Sequence, residues 1–421
     1  MSEKILLKNI ANPDSHRIEP YMASGGYQGL AKALKEYNPE EAIQLVKDSN
    51  LKGRGGAGFS TGLKWSFVPK ESDRPKYLCC NADEGEPGTF KDREIIEKDP
   101  HMLIEGMAIA AYAIGAEAAY LYIRGEFAFG ARRLEETIQQ AYAKGYLGEN
   151  ICGAGFNLDI HVFRGAGAYI CGEETALIES IEGNRGQPRF KPPFPAVEGL
   201  YGCPTVVNNV ETLACVPHIF LRGADWFKGI GPEESPGPKL YCLSGHVRNP
   251  GVYELPMGIS LRHLIEEHGG GTLSGKKIKA VIPGGVSAPL IPESELDIDM
   301  DFASLAAAGS MLGSAGVIVM DETTCMVRAA KCIIEFFSHE SCGKCTPCRE
   351  GLDWAAKILR RVEGGKGEKG DIEELQRLCG NIFGNTFCPL GDGAVLALGA
   401  AIKHFGEEFA FHIDQGRCMV D

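Results

Sequence analysis

The sequence predicts a multidomain α/β chain that ends in a helical bundle, and three observations carry that prediction. Over the first half, helical segments alternate with short apolar strands, the pattern of a mostly parallel sheet covered on both faces. After Pro236-Gly237-Pro238 the texture changes to short β-like runs around one amphipathic helix, a small mixed module, and from Cys325 onward it is helix-rich. At 421 residues the chain is also too long for one ordinary core.

Composition narrows the class. A 44% hydrophobic and 24% charged chain is that of a soluble, folded protein. A formal charge of -13 argues against nonspecific nucleic-acid binding and offers no basic patch to an acidic membrane. The 15 cysteines are odd in number, and no basic segment leads into an apolar one at the amino terminus. A reducing compartment fits that combination better than a secreted disulfide scaffold. Gly106 to Ile123 is rich in alanine and aromatics, but Glu117 interrupts it and Arg124 and Glu126 close it, so it reads as a buried helix rather than a membrane span.

In chain order, residues 1 to 25 read as a peripheral arm. Tyr27 to Lys35 has helical spacing, and Asn38-Pro39-Glu40-Glu41 resembles a helix start. Gly53, Arg54, Gly55, Gly56, Ala57 and Gly58 follow, a run that bares backbone amides to a phosphate or simply forms a turn; Arg54 and Lys64 flank it. It meets neither dinucleotide nor P-loop spacing. Phe59, Trp65 and Phe67 pack a core or sandwich a planar ring. Lys76 to Cys80 reads as a strand running into Asn81, Asp83, Glu84 and Glu86, polar groups of the kind an open α/β sheet presents at its carboxyl edge. Those carboxylates suit ribose or ribityl hydroxyls better than a metal ion.

Helical spacing continues from Ile104 to Tyr120, with a strand at Ala119 to Ile123, a helix at Ala131 to Lys144 and a strand at Asp159 to Phe163, on which His161 is structural. A second glycine-rich turn, Gly165 to Thr175, places Tyr169, Gly172, Glu173 and Glu174 at an apparent helix start, where free amides tolerate carboxylates. Lys191 and Phe194 precede a proline-rich bend, and Asn208, Asn209 and Thr212 close the region. Beyond it, an amphipathic helix falls around Ser260 to Glu267, and Pro283-Gly284-Gly285 reads as an ordinary turn or a further anion loop. The last helices are expected at Met326 to His339, Leu352 to Val362, Asp371 to Cys379 and Gly393 to Phe405.

Between the first two of these lie Cys342, Cys345 and Cys348, two residues apart each, and Cys388-Pro389 follows at a distance. That spacing favours one [4Fe–4S] cluster with Cys388 as fourth ligand over structural zinc or buried thiols.

The order of these motifs closely resembles the flavin- and NADH-binding (51-kDa, NuoF-type) subunit of respiratory complex I, over essentially the whole chain. The resemblance implies a Rossmann-like FMN-binding domain, a ubiquitin-like α+β domain and a helical bundle with one [4Fe–4S] cluster. The segments expected are 1–61 (arm and glycine-rich flavin loop), 62–235 (FMN and NADH), 236–323 (ubiquitin-like) and 324–421 (cluster bundle). It implies that the glycine turn, Lys64, Asn81, Asp83, Gly172, Glu173, Asn208 and Asn209 hold FMN. Phe59, Phe67, Lys191 and Phe194 would serve NADH, with Glu84, Glu86 and Glu174 on the acidic side of the nucleotide. No protein acid or base is needed for hydride transfer, so no catalytic side chain is assigned. The implied partners are a companion [2Fe–2S] subunit of the 24-kDa type and a further iron–sulfur subunit, in a peripheral arm on the cytoplasmic face of a bacterial inner membrane. No ferredoxin-like tail or thioredoxin-like extension is present, which favours the respiratory assembly over the diaphorase subunit of an NAD-linked hydrogenase or formate dehydrogenase.

Overall fold

Four short strands make the first sheet: β1 (Tyr77–Ala82), β2 (Ala118–Ile123), β3 (Asp159–Arg164) and β4 (Thr205–Asn209), the first two nearly continuous in apolar residues. The computed structural model describes residues 3–420. All pairings are parallel, in the order β3-β2-β1-β4. The chain moves outward on one side of β1 to β2 and β3, then returns to the other side for β4. Loops leaving β1 and β4 therefore part at their carboxyl ends and open a crevice, the place where open α/β sheets take ligands. Asn81 lies opposite Asn209 at that edge.

Pro100–Ile114 is buried almost all round, as its alanine-rich sequence requires. It stops at Ile114, short of the expected Tyr120, because Gly115 takes a left-handed conformation (φ 73°) that a glycine adopts at little cost. Asn38 forms the expected helix start, a capping box with Glu41 ahead of Pro39–Asp48. The expectation of a peripheral arm fails. Ile5, Leu6 and Leu7 are buried, and their backbone N–H groups donate to the Glu254 carboxylate at 2.7, 2.8 and 2.8 Å. Buried amides need acceptors, and this one comes from far along the chain.

The chain divides into two compact units. One runs to Gly85, resumes over Phe90–Tyr241 and includes Glu254–Gly258; the other holds Glu86–Thr89, Cys242–Tyr253 and the chain from Ile259 onward. The second sheet joins β5 (Pro238–Gly245), β6 (Gly251–Pro256), β7 (Ile278–Ile282), β8 (Ile291–Pro292) and β9 (Gly316–Asp321) in the order β6-β5-β9-β7-β8. β9 pairs parallel with β5 and antiparallel with β7. The helix expected near Ser260 is a short turn, Leu261–His263, that widens to a π-turn over Leu264–His268.

Four helices complete the second unit: Met326–Glu340, Thr346–Glu363, Asp371–Ile382 and Pro389–Gln415. The second and fourth start earlier than their apolar spacing suggests. Pro347 and Pro389 occupy first-turn positions where their lack of an N–H costs nothing. That shift makes Cys345 and Cys388 the N-caps of two helices. Among the described residues no helix is long and apolar enough to cross a membrane.

Candidate functional site

The crevice is built from the glycine turn and the ends of β1 and β4. Gly53 N donates to Phe59 O at 2.8 Å and closes the turn. Gly56 has φ 137°, a conformation that only glycine takes readily, and a Cβ at Gly55 would stand 3.1 Å from the Asn209 Cβ. Ala57 and Gly55 are exposed, so this backbone faces outward. Asn81 Nδ2 donates to Gly172 O (2.9 Å) and its Oδ1 accepts from Asp83 N (3.0 Å), which fastens the end of β1 to the Tyr169–Gly172 turn. Asp83 lies against the same glycine: a Cβ on Gly172 would be 3.6 Å from Asp83 O.

A chain of charges runs along the crevice. Lys64 Nζ donates to Glu174 Oε2 (2.8 Å) and Val207 O (3.0 Å); Lys191 Nζ donates to Glu173 and Glu174, each at 2.9 Å. Glu173 also caps the helix Glu174–Ile181 by accepting from Thr175 N and Ala176 N. Burial would push the Glu174 carboxyl up, but Lys64 and Lys191 outweigh it and hold the group below its ordinary value. Phe59 and Phe67 sit 6.2 Å apart at 45°, 47% and 50% exposed, and Phe194 is 57% exposed. Rings so exposed do not serve a core. They suit stacking on a planar aromatic ligand. Exposed amides, a lysine and apolar ring faces together fit a flavin mononucleotide.

Other expected site residues are committed to the framework. The Arg54 side chain is fully buried, its Nη2 donating to Pro236 O at 2.6 Å, while its backbone N donates to Thr212 Oγ1 at 2.8 Å. Both residues fix the shape of the turn. Asn208 Oδ1 accepts from Trp65 Nε1 (2.7 Å), and Asn209 caps Val210–Arg222 while its Nδ2 donates to Asp92 (2.6 Å). Glu84 accepts from the backbone of Lys91, Asp92 and Arg93, and burial together with Asp92 pushes its carboxyl up to about 7. Tyr169 packs against Gly85, where a Cβ would be 3.4 Å from its ring. Glu86 belongs to the second unit, where its Oε1 accepts from Ser287 N at 2.8 Å.

Sequence spacing gave no sign of the ionic cluster below these residues. Lys91 Nζ meets Asp92 (2.7 Å) and Glu211 (2.9 Å), and Lys239 Nζ meets Glu211 (2.6 Å), all buried. Burial lowers Lys239 to about 8 despite Glu211. A cavity of about 580 Å³ beside Arg189, Phe190 and Tyr201 shares none of the expected site residues.

In the second unit, Cys342 lies in the link between the first two bundle helices, Cys345 caps the second and Cys348 is in its first turn. Phe387 N donates to Cys345 Sγ at 3.2 Å, which sets the backbone beside Cys388 against the triplet. Ser341 Oγ is 3.2 Å from Cys348 Sγ, and Lys344 Nζ stands 4.2 Å from the Phe387 ring centre. Three cysteines at two helix starts and a fourth in the link before one of them, with an N–H donated to Cys345 and a hydroxyl beside Cys348, suit an iron–sulfur cluster. Elsewhere in this unit Cys325, His412 and Cys418 are buried with their ligand atoms all within 4.8 Å of one another. No spacing rule connects them.

Residues 46–218 match the Nuo51 FMN-binding domain, 239–319 the SLBB domain, and 328–412 the NADH-ubiquinone oxidoreductase-F iron-sulfur binding region. The chain is 69% identical to the second F-type NADH-quinone oxidoreductase subunit of Rhizobium meliloti (strain 1021), with 99% of both chains covered. It is 52% identical to the F-type NADH-quinone oxidoreductase subunit of Mycobacterium bovis, covering 99% of this chain and 95% of the relative. Among solved structures it is similar to an NAD+-reducing [NiFe]-hydrogenase in the H2-reduced state, at 36% identity and TM-score 0.83, over 96% of this chain and 68% of that one.

Proposed function

The chain belongs to the 51-kDa, NuoF-type family of NADH-quinone oxidoreductase subunits, and from that premise we propose how its residues divide the work. It is the NADH-oxidising subunit of that enzyme, with an FMN-binding domain and an iron–sulfur region. FMN, when bound, supplies the conversion between the two electrons of NADH and one-electron carriers.

The glycine turn Gly53 to Gly58 cradles the flavin phosphate side with backbone amides, and Asn81, Asp83 and Gly172 bind its polar groups. Lys64 keeps an ammonium in the crevice where negative charge collects on reduction. Phe59, Phe67 and Phe194 offer ring faces to the nicotinamide nucleotide, which positions the reacting rings without any acid or base. Glu173, Glu174 and Lys191 border the nucleotide. Cys342, Cys345, Cys348 and Cys388 hold one [4Fe–4S] cluster, the electron exit. A 24-kDa-type [2Fe–2S] subunit and a further iron–sulfur subunit are the partners, in a peripheral arm on the cytoplasmic face of a bacterial inner membrane. The likeness to the NAD+-reducing hydrogenase supports a diaphorase role as the second reading; 69% against 36% identity favours the quinone-linked one.

The observation that carries this reading is the meeting of Asn81, Gly172, Gly55 and the Lys64–Glu174 pair at the carboxyl end of β1 and β4. An anaerobic NADH titration of the purified chain, followed by visible absorption and low-temperature EPR, tests it. Bleaching of bound flavin with a reduced [4Fe–4S] signal is expected; intact bound flavin that NADH does not bleach overturns the reading.

A further inference from the structure

We propose that Cys325, His412 and Cys418 form a zinc site, separate from the iron–sulfur cluster, that ties the segment after the last helix to the start of the first bundle helix. Each residue is buried, and one ligand atom from each lies within 4.8 Å of the other two. Cys325 Sγ is 3.3 Å from His412 Nε2. The same sulfur accepts from Arg328 N at 3.4 Å as the N-cap of Met326–Glu340. His412 Nδ1 is buried with no hydrogen-bond partner among the described residues, so the thiol is the ring's one polar contact there. With its proton on Nδ1 the ring presents the Nε2 lone pair to the sulfurs, and that is the pair a cation would use.

Charge selects the ion. Two thiolates and a neutral imidazole cancel a divalent cation, leaving a neutral complex that burial tolerates; a monovalent copper ion would leave a buried negative charge. The neighbouring charges do not upset this balance, because Glu408, one helical turn before His412, is paired with Lys279 at 2.5 Å and accepts from Met326 N. Sulfur and nitrogen donors at this separation suit zinc, with one position left for water. A disulfide between the cysteines would use two of the three groups and give the histidine no role. The 15-residue helix between Cys325 and the cluster loop is about 22 Å long, so the two sites lie at opposite ends of it.

The test measures zinc and iron together in the full chain, purified anaerobically, incubated with Zn2+ and passed through a chelating column. About one zinc per chain is expected, with an X-ray absorption signature of two sulfurs near 2.3 Å and one nitrogen near 2.0 Å, about the usual ligand distances. Cys418→Ala should lower retained zinc at least about tenfold, because losing a ligand costs no less than losing a group that merely orients one, while iron and NADH-dependent flavin bleaching stay unchanged. Cys342→Ser should lower iron and leave zinc. The proposal is overturned if the wild-type chain retains no zinc, if its mass and peptides show Cys325 joined to Cys418, or if zinc follows Cys342 rather than Cys418. Should Cys418→Ala fail to fold, the wild-type absorption signature decides, because a cluster-bound zinc would show sulfur ligands alone.

Discussion

The flavin crevice and the cysteine site are held in opposite ways. In the crevice the side chains already bind one another: Lys64, Glu174, Lys191 and Glu173 form one run of charges, Asn81 grips Gly172 O, and Asn209 is fixed by Asp92. The cysteines instead depend on where helices begin, with two of them at N-caps and one in a first turn. A prearranged polar network meets its ligand with little ordering cost. A metal centre supplies its own order through coordination bonds. The first should degrade in steps when residues are changed, the second all at once.

The largest expected effect tests the second half of that contrast. Cys388→Ala should reduce iron from about four to less than about one per chain, since loss of one thiolate removes the cluster, while flavin is retained. Iron and flavin assays decide it, and unchanged iron would break the comparison. Next is Lys239→Met, which removes a partner of the buried Glu211 carboxylate. It should cost about 3 kcal/mol in the first unit, the scale for breaking a buried ion pair, and iron content should not change. Urea unfolding monitored at Trp65 and Trp226 measures it.

Glu84 sharpens the contrast through pH. Its folded value is raised from 4.5 to about 7, so the folded chain binds this proton more tightly and loses stability as pH rises through that window. Relative to Glu84→Gln, the wild type should therefore lose on the order of 2 kcal/mol between pH 4.5 and 7.5. Glu174 has the opposite sign: depressed by its lysines, it stabilises above its unfolded value and that contribution is lost as pH falls through the lower folded one. The smallest effect is Asn81→Ala, which should weaken FMN binding about tenfold, near 1.4 kcal/mol, by loosening β1 from Gly172. FMN titration of the flavin-free chain measures it, and unchanged affinity would deny the crevice its stepwise character.

Local pattern made the strands and the cysteine triplet legible, because both are rules about neighbours. β1 to β3 fall on short runs of apolar residues and were expected as strands, whereas β4, with its two asparagines, was read only as the close of the region; Cys342, Cys345 and Cys348 lie two residues apart. What escaped were pairings between distant residues. Cys325 and His412 are 87 positions apart, and nothing near Arg54 announces that its side chain turns inward to Pro236. The acids around Glu84 suggested ribose or ribityl hydroxyls, and the resemblance put it on the nucleotide side; neither signals that its oxygens accept from three amides at the start of the next helix. The early end of Pro100–Ile114 turned on one backbone angle at Gly115.

The Glu254 clamp on Ile5, Leu6 and Leu7 has a consequence for how the chain is made. Its partners are separated by 247 to 249 positions, so Ile5, Leu6 and Leu7 wait for that whole stretch to be translated before their acceptor exists. At bacterial elongation rates of ~5–20 residues per second that delay is about 12 to 50 s. Throughout it the three amides remain open to water or to a chaperone, and closure of the clamp marks the moment at which this segment is sealed.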